Sequence, residues 1–433
     1  MMERIYRWPY LLFVFLLAYM PFHVFFSQWL STYTGHLDFW KIWKDLLLFG
    51  AILLVSALVY IKRSFKDRLF WVFFLLSAIY FALHLIVWQF SDVANKTALL
   101  ATAYNCRLLG FAIFGWGTAI VARKYLTPRK IFTIAITIST LVCILGVIQY
   151  NLPKDFMSHF GYSLDRGVKP AFFIDDKPDL PRIMSTLRDP NSLGAYLILP
   201  IALLVGAWLK RPKQRMLFSG LLILHLLALF LTFSRSAWAG ALLAGGIMFI
   251  WHFKEKTKTI VKKYWPLLAV GLAVLVVGIF LLRDQYVVQN VVFHSDENTK
   301  MTDSNNLHFQ FAQKGLQGIA DKPLGHGPGT AGLVSIHTKD VMLTENYFIQ
   351  VGYEVGVIGL VLLIGLMYFI CRILYRNGDF YSRALLASFI GITLCALLLL
   401  TWSNEAVAAQ WWLLAGLMAG LQGRRKKAQQ PVN

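Results

Sequence analysis

Asp303-Ser304-Asn305-Asn306-Leu307-His308 and Pro323-Leu324-Gly325-His326-Gly327-Pro328-Gly329-Thr330 lie inside a polar interruption, residues 283–345, bounded by apolar runs at 264–282 and 347–371. Connections between helices are usually short, so a stretch this long and this rich in Gly, His, Asp and Asn is expected to fold and to carry chemistry. It closes on Thr344-Glu345-Asn346-Tyr347, where the chain turns apolar again. The side of a membrane that it faces decides topology and function together.

Working outward, the composition excludes an ordinary soluble domain: 57% of the 433 residues are hydrophobic, 15% are charged, and mean hydropathy is +0.57. Runs able to cross a hydrocarbon core of roughly 30 Å recur at 9–27, 46–61, 69–90, 98–121, 131–150, 192–209, 216–233, 237–253, 264–282, 347–371, 384–401 and 406–422. The expected fold is an all-α integral membrane protein of about 12 transmembrane helices, a single polytopic domain over 1–433.

A formal charge of +20 raises nucleic acid as a partner, but the basic residues form short clusters in every second loop. Lys62/Arg63/Lys66/Arg68, Lys210/Arg211/Lys213/Arg215 and Arg424/Arg425/Lys426/Lys427 are three of them. This is the positive-inside pattern, which puts these loops and both termini in the cytoplasm and leaves no reason to invoke nucleic acid. The first extracytoplasmic loop of any size is then 151–190. The interruption at 283–345, between the ninth and tenth spans, is the large extracytoplasmic loop. The N-terminal apolar run has no small-residue cleavage site and reads as a retained first span. Cys106, Cys143, Cys371 and Cys395 fall within spans, as packing residues without disulfide or zinc spacing.

Several outward-facing positions have residue types suited to an anionic substrate. In Arg188-Asp189-Pro190-Asn191-Ser192-Leu193-Gly194, Asp189 is placed to cap a helix with Pro190 in its first turn. Arg188 then sits at a positive helix end, where phosphate or a lipid headgroup is favoured. Thr232-Phe233-Ser234-Arg235-Ser236-Ala237 is nearly the whole connection between two spans. A guanidinium there reads either as an anion site or as a cap for the preceding helix. Asp303 or Ser304 can cap a helix in which Phe309, Ala312, Leu316 and Ile319 recur at helical spacing, with His308 near its start and its end before Pro323. The glycines flanking His326 either bring backbone close to a ligand or make a turn, and no Walker loop follows. Glu345, at the start of the tenth span after Thr344 as possible cap, reads as a dipole partner or as a general base. Arg107 and Glu354 are ionisable intrusions within spans, costly unless paired or wet. His23, His84 and His225 read as polar packing residues.

In this order and spacing, Arg188-Asp-Pro-Asn-Ser-Leu-Gly, the Ser234-Arg235-Ser236 turn, the loop with Gly325-His326-Gly327-Pro328-Gly329, and Glu345-Asn346-Tyr347 followed by Glu354-Val-Gly-Val-Ile-Gly resemble the O-antigen ligase and Wzy-type O-antigen polymerase superfamily. The resemblance covers roughly 188–360. It implies a metal-independent membrane glycosyltransferase of the GT-C type, without cofactor, that uses undecaprenyl-diphosphate-linked glycan. In the ligase branch the serine-arginine turn holds an essential Arg, matched by Arg235. That branch has an Arg in the long loop, where His308 stands here, and a His before the Asn of the tenth span, where Glu345 stands here.

These two departures favour the polymerase branch. The implied catalytic set is Glu345, His308 and Arg235, and the implied diphosphate- and glycan-binding set is Arg188, Arg235, Asn191, His326 and Asn346. The reaction implied is polymerisation of lipid-linked repeat units into O-antigen, capsule or exopolysaccharide on the outer face of the bacterial inner membrane. Membrane lipids, a repeat-unit flippase and a chain-length regulator are the implied partners. The rivals are a ligase that delivers finished glycan to a lipid, protein or wall acceptor, and a 12-span flippase or transporter.

The topology has a direct check. A reporter fused after Lys300 or Lys339 is expected to read extracytoplasmic, and one after Lys258 or Arg425 cytoplasmic. A cytoplasmic signal at Lys300 would remove the catalytic-loop reading.

Overall fold

The computed structural model describes residues 5–62, 67–174, 177–253, 304–337 and 342–421. The expected ninth span at 264–282 and parts of the long loop, 283–303 and 338–341, lie outside the described residues. Helices α1 (Arg7–Tyr19) and α2 (His23–Thr34) form one rod interrupted by a 3-10 turn, Met20–Phe22, where Pro21 cannot donate to the helical ladder. There follow α3 (Leu37–Ile61), α4 (Arg68–Gln89), α5 (Asn95–Val121) and α6 (Pro128–Tyr150). A two-stranded antiparallel hairpin, β1 (Phe172–Ile174) and β2 (Lys177–Arg182), comes next. The rest are α7 (Pro190–Lys210), α8 (Arg215–Leu231), α9 (Arg235–His252), α10 (Ser304–Asp321), α11 (Tyr347–Asn377), α12 (Phe380–Ala396) and α13 (Glu405–Leu421).

Among the described residues, eight helices are long and apolar enough to cross a membrane: the α1–α2 rod, α3, α4, α5, α6, α7, α8 with its preceding turn, and α11. Helices α12 and α13 are apolar but have 17 residues each, and the 18-residue α9 opens on Arg235 and closes on His252. These three and the eight occupy eleven of the twelve expected positions. The architecture is that of an all-α integral membrane protein, with the hairpin between α6 and α7 as an exception that the sequence reading did not foresee. Several boundaries also moved: α2 runs on to Thr34, past 27; α3 begins nine residues before 46; α11 runs on to Asn377, past 371; and α12 ends at Ala396, short of 401.

Large apolar side chains face outward along the bundle, including Phe49, Ile223, Leu242 and Tyr368, as a lipid-facing surface requires and a water-facing one rarely permits. Inside, α5, α7 and α13 are the most enclosed helices. In lipid no hydrophobic force drives apolar helices together, so close packing depends on small residues. A Cβ on Gly416 of α13 would run into the Ala112 carbonyl of α5, and one on Gly115 into the Leu413 carbonyl. Helices α9 and α12 meet the same way, since a Cβ on Gly240 would lie 2.6 Å from the Gly391 oxygen.

This contact gives a paired test within α9. Gly240→Val is expected to destabilise the detergent-extracted protein by about 1–3 kcal/mol, the usual cost of overpacking. Gly246→Val, on the same helix with no atom within 4 Å of its would-be Cβ, is expected to leave the melting temperature nearly unchanged. Equal effects of the two would mean that the α9–α12 packing is not as close as described.

Candidate active site

The connection between α6 and α7 is folded tightly enough to place a side chain. Met157, Tyr162, Val168 and Met184 form a small apolar core of their own, and Phe160 stacks near Phe25 and Trp29 on α2. From this base β2 delivers Arg182, whose Nε donates to the Thr232 carbonyl at 2.9 Å and whose Nη2 donates to Asn191 Oδ1 at 3.0 Å. Arg182 therefore performs the helix-end capping that the sequence allowed for Arg235, and it ties the end of α8 to the start of α7. One residue on, the Ile183 N–H donates to the Leu231 carbonyl at 3.1 Å.

The two arginine strings meet here. Asp189 caps α7 as expected, accepting from the Ser192 N–H at 2.8 Å and its hydroxyl at 2.7 Å, so Arg188 stands one residue before a helix N-terminus. Gly194, one turn into α7, lies against Ala237, Ser234 and Thr232, so α7 and the α8–α9 turn are in direct contact. Arg235 is the first residue of α9, behind Ser234 as N-cap. Both strings thus present a cation at neighbouring helix starts, where the dipoles add to the positive field.

The C-terminal end of α12 joins this arginine pair to the residues before α11. The Cys395 thiol donates to the Ser236 carbonyl at 3.1 Å, and two residues later the Leu397 carbonyl accepts from Asn346 Nδ2 at 2.7 Å. Asn346, not Thr344, caps α11: its Oδ1 accepts the Phe348 and Ile349 N–H groups, both at 3.0 Å. Glu345 therefore precedes the helix, on a left-handed backbone at φ 46°. Such a conformation costs a non-glycine residue about 1–3 kcal/mol and tends to occur where function demands it. The other two non-glycine residues with positive φ among the described residues are Ser185 and Phe233, three residues before Arg188 and two before Arg235.

The glycine loop does a structural job. Helix α11 is broken at Val355 and Gly356, where Gly356 has φ 73°, and the break frees the carbonyls of Tyr353 and Glu354. The N–H groups of His326 and Gly327 donate to them at 2.9 and 3.0 Å, and the Val357 N–H donates to the Pro323 carbonyl at 2.9 Å. The approach is so close that a Cβ on Gly325 would sit 2.6 Å from the Glu354 carbonyl. The His326 ring is engaged as well, donating from Nε2 to the Gly318 carbonyl at 2.9 Å and stacking 4.1 Å from the Tyr353 ring. Helix α10 forms over 304–321, ending before Pro323 as its spacing predicted, and packs along α11 through Gly315 and Gly318. His308 belongs to it, but the His308 side chain lies outside the described residues.

Arg107 and Glu354 do not pair with each other. Arg107 Nη1 lies 3.2 Å from Glu405 Oε2 and its Nη2 donates to the Ser403 carbonyl; Lys44 Nζ is 3.0 Å from Glu405 and 3.0 Å from Asp45. His23 Nε2 lies 3.7 Å from the same Glu405. Glu354 instead accepts from Asn105 Nδ2 at 2.6 Å and from the backbone N–H groups of Gly329 and Ala331 at 2.9 and 3.3 Å. Asn105 also donates to His84 Nε2, whose Nδ1 donates to the Tyr80 carbonyl, and His225 bonds Ser139, so both histidines are packing residues as expected.

Arg188, Asn191, Arg235, Asn346 and Glu345 therefore lie around the neighbouring α7, α9 and α11 starts, while His326 turns toward α10. The sequence reading missed Arg182, Lys44, Asp45, Asn105 and Glu405. A helix starting at Leu37 rather than 46 was the signal for Lys44 and Asp45, because it carries both into the bundle.

Two comparisons bear on this arrangement. Residues 220–364 match the Wzy_C family model, described as O-antigen ligase, a segment that contains Arg235, Glu345 and Glu354 but not Arg188 or Asn191. The chain is also 22% identical over 361 residues to an O-antigen polymerase of Salmonella muenchen, covering 80% of this chain and 84% of that protein. Together with the apolar helical bundle, these matches mark a multi-pass bacterial membrane protein that is similar to the O-antigen ligases and O-antigen polymerases.

Proposed function

We propose that this protein polymerises polyprenyl-diphosphate-linked glycan on the outer face of the cytoplasmic membrane. The growing chain leaves its diphosphate carrier as the hydroxyl of a newly arrived lipid-linked repeat unit attacks its anomeric carbon. One glycosidic bond forms, one sugar–phosphate bond breaks, and the hydroxyl proton goes to a base. The observation that carries the reading is the meeting of the Arg188 and Arg235 helix starts, linked through Cys395 and Leu397 to Asn346 and Glu345.

In this reading Arg188 and Arg235 hold the diphosphate and stabilise the charge that develops as it leaves, with two helix dipoles aimed at the same place. Asn191 is spent on Arg182 and so acts by keeping α7 against the α8–α9 turn. Glu345 is the base that takes the acceptor proton, set on a strained backbone just outside a capped helix. His308 positions the acceptor. His326, held by Gly318 and Tyr353, contributes by fixing the loop rather than by free contact with glycan. The sugar–diphosphate bond supplies the energy, so no nucleotide is required on that side.

The ligase reading has its own observation in the O-antigen ligase match over 220–364. It would use the same diphosphate site with a different acceptor. The departures at His308 and Glu345 favour polymerase.

Substitutions at the two ends of the site test the assignment. Arg235→Lys keeps the charge but not the planar two-pronged donor, and is expected to lose most polymer while protein level and insertion stay normal. Near-wild-type polymer would reduce Arg235 to a headgroup anchor. Glu345→Gln removes the base and is expected to slow transfer by about 100- to 10,000-fold, leaving single repeat units on the carrier. A loss of only a fewfold would match a helix-end interaction instead.

A further inference from the structure

Glu354 takes no part in the transfer step, yet its side chain is wholly enclosed and fully committed. Two neutral backbone donors, Gly329 and Ala331, and the Asn105 amide all point at it. A buried carboxylate is costly unless each of its oxygens is served, and here both oxygens are.

Its place in the chain gives that expense a purpose. The break at Val355 and Gly356 separates the first two turns of α11, which follow Glu345 and Asn346, from the long membrane-crossing part. Two turns extend about 12 Å and have no rigid continuation below to orient them. A closed circuit does so instead. Glu354 holds Gly329 and Ala331; the next residue, Gly332, donates its N–H to the Met342 carbonyl at 2.9 Å; and Met342 stands three residues before Glu345. On the other side, Ser403 Oγ lies 3.4 Å from Gln350 Oε1, and Asn346 is tied to Leu397.

We propose that Glu354 is a positioning residue: by gripping Gly329 and Ala331 it closes the circuit that fixes Glu345 and Asn346 relative to the arginine pair. The inference rests on the reading of Glu345 as the base. Glu354 acts through its hydrogen-bond acceptors, not by exchanging a proton with substrate.

Three variants in the full-length membrane protein test this, with two readouts. Glu354→Ala releases the loop, and Gly329→Ala displaces it without touching the carboxylate, since a Cβ there would sit 2.8 Å from Thr97 Cγ2. A misplacement of about 1 Å costs on the order of 100-fold, so both are expected to lower kcat for elongation of lipid-linked repeat units about 100-fold with little change in KM. Glu354→Gln keeps an oxygen for both N–H groups and is expected to stay within about tenfold of wild type, with the wild-type pH profile. The second readout is independent of transfer. Ser335 is completely buried, so Ser335→Cys is expected to resist a membrane-impermeant maleimide. It should become reactive when combined with Glu354→Ala or Gly329→Ala and remain protected with Glu354→Gln.

If Glu354→Gln is as inactive as Glu354→Ala while Ser335→Cys stays protected in both, Glu354 works by its charge and the proposal is wrong. Full activity of Glu354→Ala would also overturn it. Failure of the transfer reading shows elsewhere, as normal polymerisation by Glu345→Gln.

Discussion

A helix that breaks inside an apolar bundle frees backbone groups that lipid cannot serve, so the break survives only where protein supplies partners. At Val355 and Gly356 of α11 the partners come from the glycine loop, whose His326 and Gly327 N–H groups reach the Tyr353 and Glu354 carbonyls. The arrangement of the segments around the start of α11 follows from this constraint. The loop passes close to α11 at Gly325 and close to Ser91 and Thr97 at Gly327 and Gly329, and all three glycines have positive φ. Once there, its Gly329 and Ala331 N–H groups point at the Glu354 carboxylate, and α10 is drawn along the helix it follows into.

Charge in the bundle is sorted by the same accounting. Lys44, Arg107, Asp45 and Glu405 make two cations and two carboxylates in mutual contact, an arrangement that needs no outside ion. Removing one member of such a set typically costs about 3–5 kcal/mol because it strands its partner. Arg188 and Arg235 are placed differently, Arg188 one residue before the N-cap of α7 and Arg235 at the first residue of α9. Both stand at helix starts, where the positive end of the dipole favours an anion.

The sequence was most legible where a local rule operates alone. Asp189 before Pro190 announced its own cap, and the apolar spacing of 304–321 gave α10. It was least legible where a polar group answers a distant one. Nothing near Asn105 shows that it faces Glu354, 249 residues away. Lys44 and Asp45 look like a polar lead-in to a span until α3 is seen to begin at Leu37, and Arg182 gains its role only from the hairpin that carries it to Thr232. The Glu345 backbone was hidden for a different reason: the cap falls on Asn346 rather than Thr344, and that single step moves Glu345 out of the helix.

The claim on which everything turns is that one protein joins two lipid-linked repeat units without any other acceptor. Purified protein in liposomes, supplied only with polyprenyl-diphosphate-linked repeat units, measures this by the length of the glycan on the carrier. The account predicts a ladder of products two, three and more repeats long, with free polyprenyl diphosphate released for every bond made. Consumption of the substrate only after a different acceptor is added would identify a ligase, and passage of the lipid across the bilayer with its glycan unchanged would contradict glycosyl transfer altogether.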